Sequence, residues 1–221
     1  MNRFPSLPYI APFAVFVGFL ALHSIAPMPE LADQVVRLVV VAAVLFWFAR
    51  PVLDFRVKRP LWTIGIGLAV FAIWIAPDAL FPAYRQSWLF TNAVTGMARS
   101  SLSDAAHSDP VVLTLRSARA VLIVPMVEEL FWRAWMMRWI IAPDFEKVKL
   151  GTYTAFSFWM VAALFASEHG VYWDVGLAAG VVYNWWMIRT KSLGDLILAH
   201  AITNGCLCAY VVATGKWEYW L

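Results

Sequence analysis

Apolar runs, each about the length that crosses a bilayer, alternate along this chain with short polar stretches. Seven stand out, at about 8–26, 34–49, 61–81, 110–141, 152–169, 172–190 and 193–214. The fourth is too long and too charged for a simple lipid-facing span. Asp109-Pro110 sets an N-cap residue before a proline at the first helical position and opens this fourth run. Ser192, with Asp195 three residues on, is a capping-box-like start for the seventh. The segment 82–109, with Arg85, Arg99, Ser100, Ser101, Ser103 and Asp104, is the one long polar loop and has room for a short interfacial helix. There is no internal repeat and no low-complexity tract. The pattern predicts an all-α fold, a polytopic membrane helical bundle of about seven transmembrane helices. Residues 1–109 supply the N-terminal transmembrane helices and the polar loop, and 110–214 a second helical core. The two form one integrated membrane domain.

Composition supports this and excludes the alternatives. Of 221 residues, 62% are hydrophobic and 14% charged, with a mean hydropathy of +0.69. Soluble domains run at roughly 45–50% and 25%. A water-soluble globule of this size could not hide so much apolar surface, so a soluble enzyme, a disordered chain and a disulfide-stapled secreted domain are all excluded. The net charge of +3 and pI of about 9.0 reflect loop topology rather than nucleic-acid binding. Arg50, Arg56, Lys58 and Arg59 crowd the 50–60 loop, Arg138, Lys147 and Lys149 the 138–150 loop, and Arg189 and Lys191 the 189–191 turn. These alternate with poorer loops around 27–34, 82–109 and 170–173. The positive-inside rule then puts the N-terminus inside and the C-terminus outside, with Arg85, Arg99, Arg116 and Arg119 as exceptions. Cys206 and Cys208 are two apart on a helix and face different ways, so no mutual disulfide is expected. The chain opens with Arg3. Ser24-Ile25-Ala26 imitates a signal cleavage site, but Pro27 follows directly, which predicts an uncleaved first span.

Ionisable groups inside membrane helices cost several kcal/mol each and mark the places to explain. Glu129 and Arg133 are four apart, share a face and are expected to pair. Glu128 sits about 100° away around the helix, with Trp132 rather than a cation at its i+4 position. Pro125, three residues earlier, should loosen the helix and free carbonyls nearby. His200 and Asn204 share a face four residues apart, either as hydrogen-bond glue between helices or as two donors aimed at one oxyanion. Glu128 lies about 20 Å from its helix end near Ile141, His169 about 25 Å from Thr152 and His200 about 12 Å from Ser192. With tilt, all three meet near mid-membrane. There is no Gly-x-Ser-x-Gly elbow and no His-Glu-x-x-His zinc helix. Two readings remain. Glu128 activates water with His169 while His200 and Asn204 hold the oxyanion, or Glu128, His169 and His200 bind a zinc that activates water.

Three short motifs carry a family resemblance. Pro125-Met-Val-Glu128-Glu129-Leu-Phe-Trp-Arg133 resembles Glu-Glu-x-x-x-Arg, Phe165-Ala-Ser-Glu168-His169 resembles Phe-x-x-x-His, and His200-Ala-Ile-Thr-Asn204 resembles His-x-x-x-Asn/Asp. In this order, on helices, they are similar to the CAAX prenyl endopeptidase and bacteriocin-processing (CPBP) family of intramembrane glutamate proteases. The resemblance covers about 110–210. It implies a catalytic core in that segment. Glu128 and His169 would work on the water, and His200 and Asn204 would form the oxyanion hole. Glu129 with Arg133 would brace the site, and Phe165 would shape its wall. It implies no metal, with zinc on Glu128, His169 and His200 as the alternative enzyme, and a membrane scaffold or immunity protein as the non-enzymatic one. The implied partners are the lipid bilayer and a membrane-associated protein or peptide, lipid-modified in the eukaryotic relatives, in a bacterial inner membrane. Ala134 after the arginine, where many relatives have glycine, and Glu168 before the histidine depart from the pattern. Short chains of this type also resemble a subgroup associated with exosortase and PEP-CTERM protein sorting. Trp132, Trp135, Trp139, Trp159, Trp173, Trp185 and Trp186 are expected as interfacial belts and packing. Gly176-Leu-Ala-Ala-Gly180 should let two helices approach closely.

Overall fold

Each apolar run is a helix in the computed structural model, which describes residues 4–23 and 25–220. Arg3 and Ser24 lie outside the described residues, so the cleavage-site reading is not addressed by them. The helices are α1 Leu7–His23, α2 Glu30–Ala49, α3 Pro60–Leu80, α4 Pro110–Trp139, α5 Ala155–Ser167, α6 Trp173–Thr190 and α7 Leu193–Thr214. The chain is 72% helical, with no strand among the described residues. α2, α3, α4 and α7 are each long and apolar enough to cross a membrane, and α1 and α5 are shorter apolar helices. This is a membrane protein built as an all-α bundle.

The helix ends follow their sequence signals. Asp109 accepts from the Val111 and Val112 N–H groups ahead of the Pro110 start of α4. Ser192 accepts from the Asp195 N–H at the start of α7. The Asp195 carboxylate reaches across the bundle to cap α3. It accepts from the Lys58 N–H at 2.7 Å, the Arg59 N–H at 3.0 Å and the Thr63 hydroxyl at 2.6 Å. One aspartate thus ties two helix starts together. α2 begins four residues before the apolar run does, because Glu30 and Asp33 in its first turn suit the positive end of the helix dipole.

The three Lys- and Arg-rich loops gather at one end. Lys58 Nζ donates to the Thr190 and Lys191 carbonyls, Ser192 donates to the Arg56 carbonyl, and Arg138 donates to Val148. At the other end, Ser103 N–H donates to Glu30, and Ser101 N–H to the Trp220 carbonyl. The 82–109 segment holds two short 3-10 turns, Tyr84–Gln86 and Ala106–Ser108, in place of the expected interfacial helix. Its anchor is Arg85. This side chain is buried, bonded to Asp78 and Asp174, and lies 4.2 Å over the Tyr172 ring. Arg85 is therefore an internal strut rather than a loop charge. Arg116 and Arg119 lie inside α4. Three of the four exceptions to the charge pattern are thus structural, and Arg99 alone is exposed.

Close approach of small residues sets the packing. A methyl on Gly67 of α3 would fall 2.6 Å from the Ala199 carbonyl of α7, and one on Gly180 of α6 would fall 3.2 Å from the Ala162 backbone of α5. The Gly176–Gly180 pattern therefore works within the chain. Trp132, Trp135 and Trp186 are buried, and Trp139, Trp159 and Trp185 face outward. Cys206 and Cys208 are free thiols.

Candidate active site

Pro125 shapes α4 where the site is built. The Val124 N–H turns back to Arg119, closing a π-helical turn over Arg119–Ile123. Ala120's carbonyl thereby loses its α-helical donor, and its π-helical donor would be Pro125, which has no N–H. Asn204 of α7 fills the gap, with Nδ2 donating to the Ala120 oxygen at 2.8 Å. A second π-helical stretch, Leu130–Met136, follows the acidic pair. Glu128 and Glu129 thus sit on a short α-helical piece between two irregular ones.

The buried polar network starts from the expected ion pair. Arg133 Nη1 lies 3.1 Å from Glu129 Oε1, and both side chains are fully buried. His200 Nδ1 lies 2.8 Å from the same oxygen. Its other nitrogen, Nε2, faces Glu128 Oε2 at 4.0 Å. Because Glu129 is already engaged by Arg133 as a carboxylate, His200 Nδ1 is the donor in this contact. Glu128 Oε2 is buried with no hydrogen-bond partner among the described residues. His169 Nδ1 donates to the Phe165 carbonyl at 2.7 Å, which leaves its Nε2 as an acceptor. The Phe165 ring lies 4.2 Å from the Arg133 guanidinium and 4.6 Å from the His169 ring, tilted by 51° to it. Gly176 backs the other side of that histidine; a methyl there would sit 3.1 Å from the ring.

Glu128, His169, His200 and Asn204 line one cavity of about 580 Å3. The structure thus brings together the four residues singled out from sequence. Phe165 lines the same space, and Glu168 lines it while accepting from the Trp132 indole at 3.0 Å. Among the described residues no three His, Cys, Asp or Glu side chains stand close enough together to hold a metal ion.

Several supporting residues were not foreseen. Asn184 accepts from Arg133 Nε at 3.1 Å and donates to the Phe158 carbonyl at 2.8 Å, linking α4, α6 and α5. Tyr183 stacks on His200 at 5.2 Å and donates to Thr203, which in turn donates to Gly67. The signal for Asn184 was an amide in an otherwise apolar helix interior. Tyr183 carried none, since an aromatic residue in a membrane helix is ordinary.

Neither the curated proteins nor the solved structures hold a match to this chain. Residues 110–206 match the family model described as type II CAAX prenyl endopeptidase Rce1-like. The matched segment contains α4, α5, α6 and the part of α7 that carries His200 and Asn204, and so holds Glu128, His169, His200 and Asn204 of the cavity lining. Over this segment the chain is similar to the type II CAAX prenyl endopeptidase family.

Proposed function

We propose that the protein is an intramembrane endopeptidase in which Glu128 activates a water molecule without a metal. The observation that carries this reading is the placement of His200 between two carboxylates, on Glu129 at 2.8 Å and facing Glu128 at 4.0 Å, inside the cavity that also holds His169. Glu128 takes a proton from water as the oxygen adds to the scissile carbonyl carbon. His169, with Nδ1 fixed on a backbone carbonyl, offers Nε2 to orient that water. The negative charge forms on the former carbonyl oxygen, where His200, as an imidazolium that donates Nδ1–H to Glu129 and Nε2–H to the oxyanion, and the Asn204 amide stabilise it. When the C–N bond breaks, Glu128 returns its proton to the leaving amine. Glu129 and Arg133 hold His200 by its far nitrogen.

The substrate is a membrane-associated protein or peptide. The three basic loops face the cytoplasm by the positive-inside rule, which places the N-terminus inside, in a bacterial inner membrane. The test compares protein termini in membrane fractions from cells carrying the wild-type chain or its Glu128→Ala form at equal abundance. Termini that vanish in the variant establish proteolysis and identify substrates. Matching profiles, under conditions where loss of the gene has an effect, overturn the reading.

A further inference from the structure

His169 sits where no helix holds it. α5 ends at Ser167, and Gly170 follows the histidine with a left-handed φ of 51°. Its backbone is tied by its own N–H to the Ala166 carbonyl at 3.0 Å, and its carbonyl accepts the Tyr172 N–H at 2.8 Å. The ring has one hydrogen bond, from Nδ1 to the Phe165 carbonyl. One such bond pins a point and leaves the ring free to rock about the line of that bond, so packing surfaces must set its plane. Phe165 and Gly176 supply two of them, both from the segment that matches the family model. Trp74 of α3 supplies a third, from outside that segment. Its ring centre lies 5.4 Å from that of His169, with the two planes 55° apart. Aromatic rings at this separation attract one another beyond the area they bury.

α3 is anchored so as to hold Trp74 there. Thr63, Gly67, Val70 and Trp74 recur every three or four residues and form one stripe along the helix. Thr63 donates to Asp195 at the start of α7 at 2.6 Å and accepts from the Trp186 indole at 3.2 Å. The Gly67 carbonyl accepts from Thr203 at 2.8 Å, and Val70 is fully buried. Two turns beyond Gly67, about 10 Å along the axis, the same stripe brings Trp74 to the cavity wall. Its other ring neighbour is Tyr172 at 6.0 Å, just past His169 in the chain.

We propose that Trp74 is a positioning residue for His169: the indole keeps the imidazole on the Phe165 carbonyl, so that Nε2 stays turned toward the water that Glu128 activates. This rests on the peptidase reading. It makes α3 a working part of the site rather than a span that only fills the bundle.

The test reads His169 first, without substrate, in isotope-labelled protein in phosphatidylcholine nanodiscs. The chain has four histidines, and the His169 nitrogen signals are those missing from His169→Gln. In the wild type Nδ1 should be protonated and Nε2 bare. Trp74→Phe, which keeps a flat ring, should match it. In Trp74→Leu and Trp74→Met, the second of which refills the space with a flexible chain, the two nitrogens should average. Kinetics follow on a peptide spanning a cut found by the comparison of termini. Both non-aromatic variants should lose about 10- to 100-fold in kcat at unchanged KM, the scale of a misplaced catalytic group, and Trp74→Phe should keep most of the rate. A His169 signature unchanged in both non-aromatic variants overturns the clamp and leaves the peptidase reading standing. A raised KM at unchanged kcat also overturns it, since Trp74 would then be a wall that the substrate touches. A wild type with no cut that depends on Glu128 overturns the peptidase reading and Trp74's part in turnover with it, while the nitrogen signals still report whether the ring is held.

Discussion

His200 Nδ1 lies 2.8 Å from Glu129 Oε1, the same oxygen that Arg133 engages at 3.1 Å. One carboxylate oxygen thus receives a cation from its own helix and an imidazole from α7. The contact fixes which ring nitrogen faces Glu128 and couples the acidic pair to the helix that carries Asn204.

Removing Glu129 should therefore cost stability as well as rate. Glu129→Leu leaves Arg133 buried without its counter-charge, a loss of about 3–5 kcal/mol by analogy with other broken buried pairs. Thermal unfolding of purified protein in detergent checks this. The double change Glu129→Leu with Arg133→Met should recover most of that stability and none of the activity.

Glu128→Gln should behave in the opposite way. It keeps the volume and removes the proposed base, so turnover should fall by roughly 10²–10⁴ while the protein accumulates normally. Immunoblots of membranes alongside product analysis measure both.

Gly176→Ala tests whether the position of His169 matters. The new methyl would meet the imidazole at 3.1 Å, tighter than ordinary contact, and push the ring by a few tenths of an ångström. The expected loss is about 10- to 100-fold in turnover, the scale of a misplaced catalytic group, with a small change in unfolding temperature. Full activity in this variant would remove His169 from the chemistry.

Asn204→Ala should lower turnover by about 10²–10³, as the loss of one oxyanion donor does elsewhere. It also leaves the Ala120 carbonyl without its side-chain donor. A stability loss with unchanged turnover would make Asn204 a helix clamp alone.

Chelators should leave activity intact. Purified enzyme treated with EDTA or phenanthroline is expected to retain its rate, and added zinc should not raise it. Activity that is lost on chelation and restored by zinc would replace the water-activation scheme.

Much of this was legible in the residues. Apolar run lengths gave all seven helices, because a bilayer demands whole spans of apolar side chains. The i, i+4 spacing gave the Glu129–Arg133 pair, and the depth estimates brought Glu128, His169 and His200 to one level. What was hidden depends on rotation between helices. Helices that are apolar on all sides carry no stripe to show which face meets which neighbour. Hence Asn184 went unnoticed as the partner of Arg133, and Asp195 was read as a cap for its own helix when it also serves α3. Arg85 counts as an exception to the charge pattern for the same reason, since counting cations along a sequence does not tell an internal ion pair from a loop.

The π-helical turn at Arg119–Ile123 acts as a phase shift in α4. In an unbroken α-helix the nine residues from Arg119 to Glu128 would turn through about 900°, leaving the two on opposite sides. A π turn closes one residue later than an α turn, so it absorbs about 100° of that rotation and brings them to about 80° apart. By the same arithmetic Arg116 moves from about 120° to about 20° from Glu128. One additional residue, placed beside a proline, turns two opposed faces of a single helix toward the same chamber. Deleting a residue from that turn would undo the alignment and leave every side chain in the helix chemically unchanged.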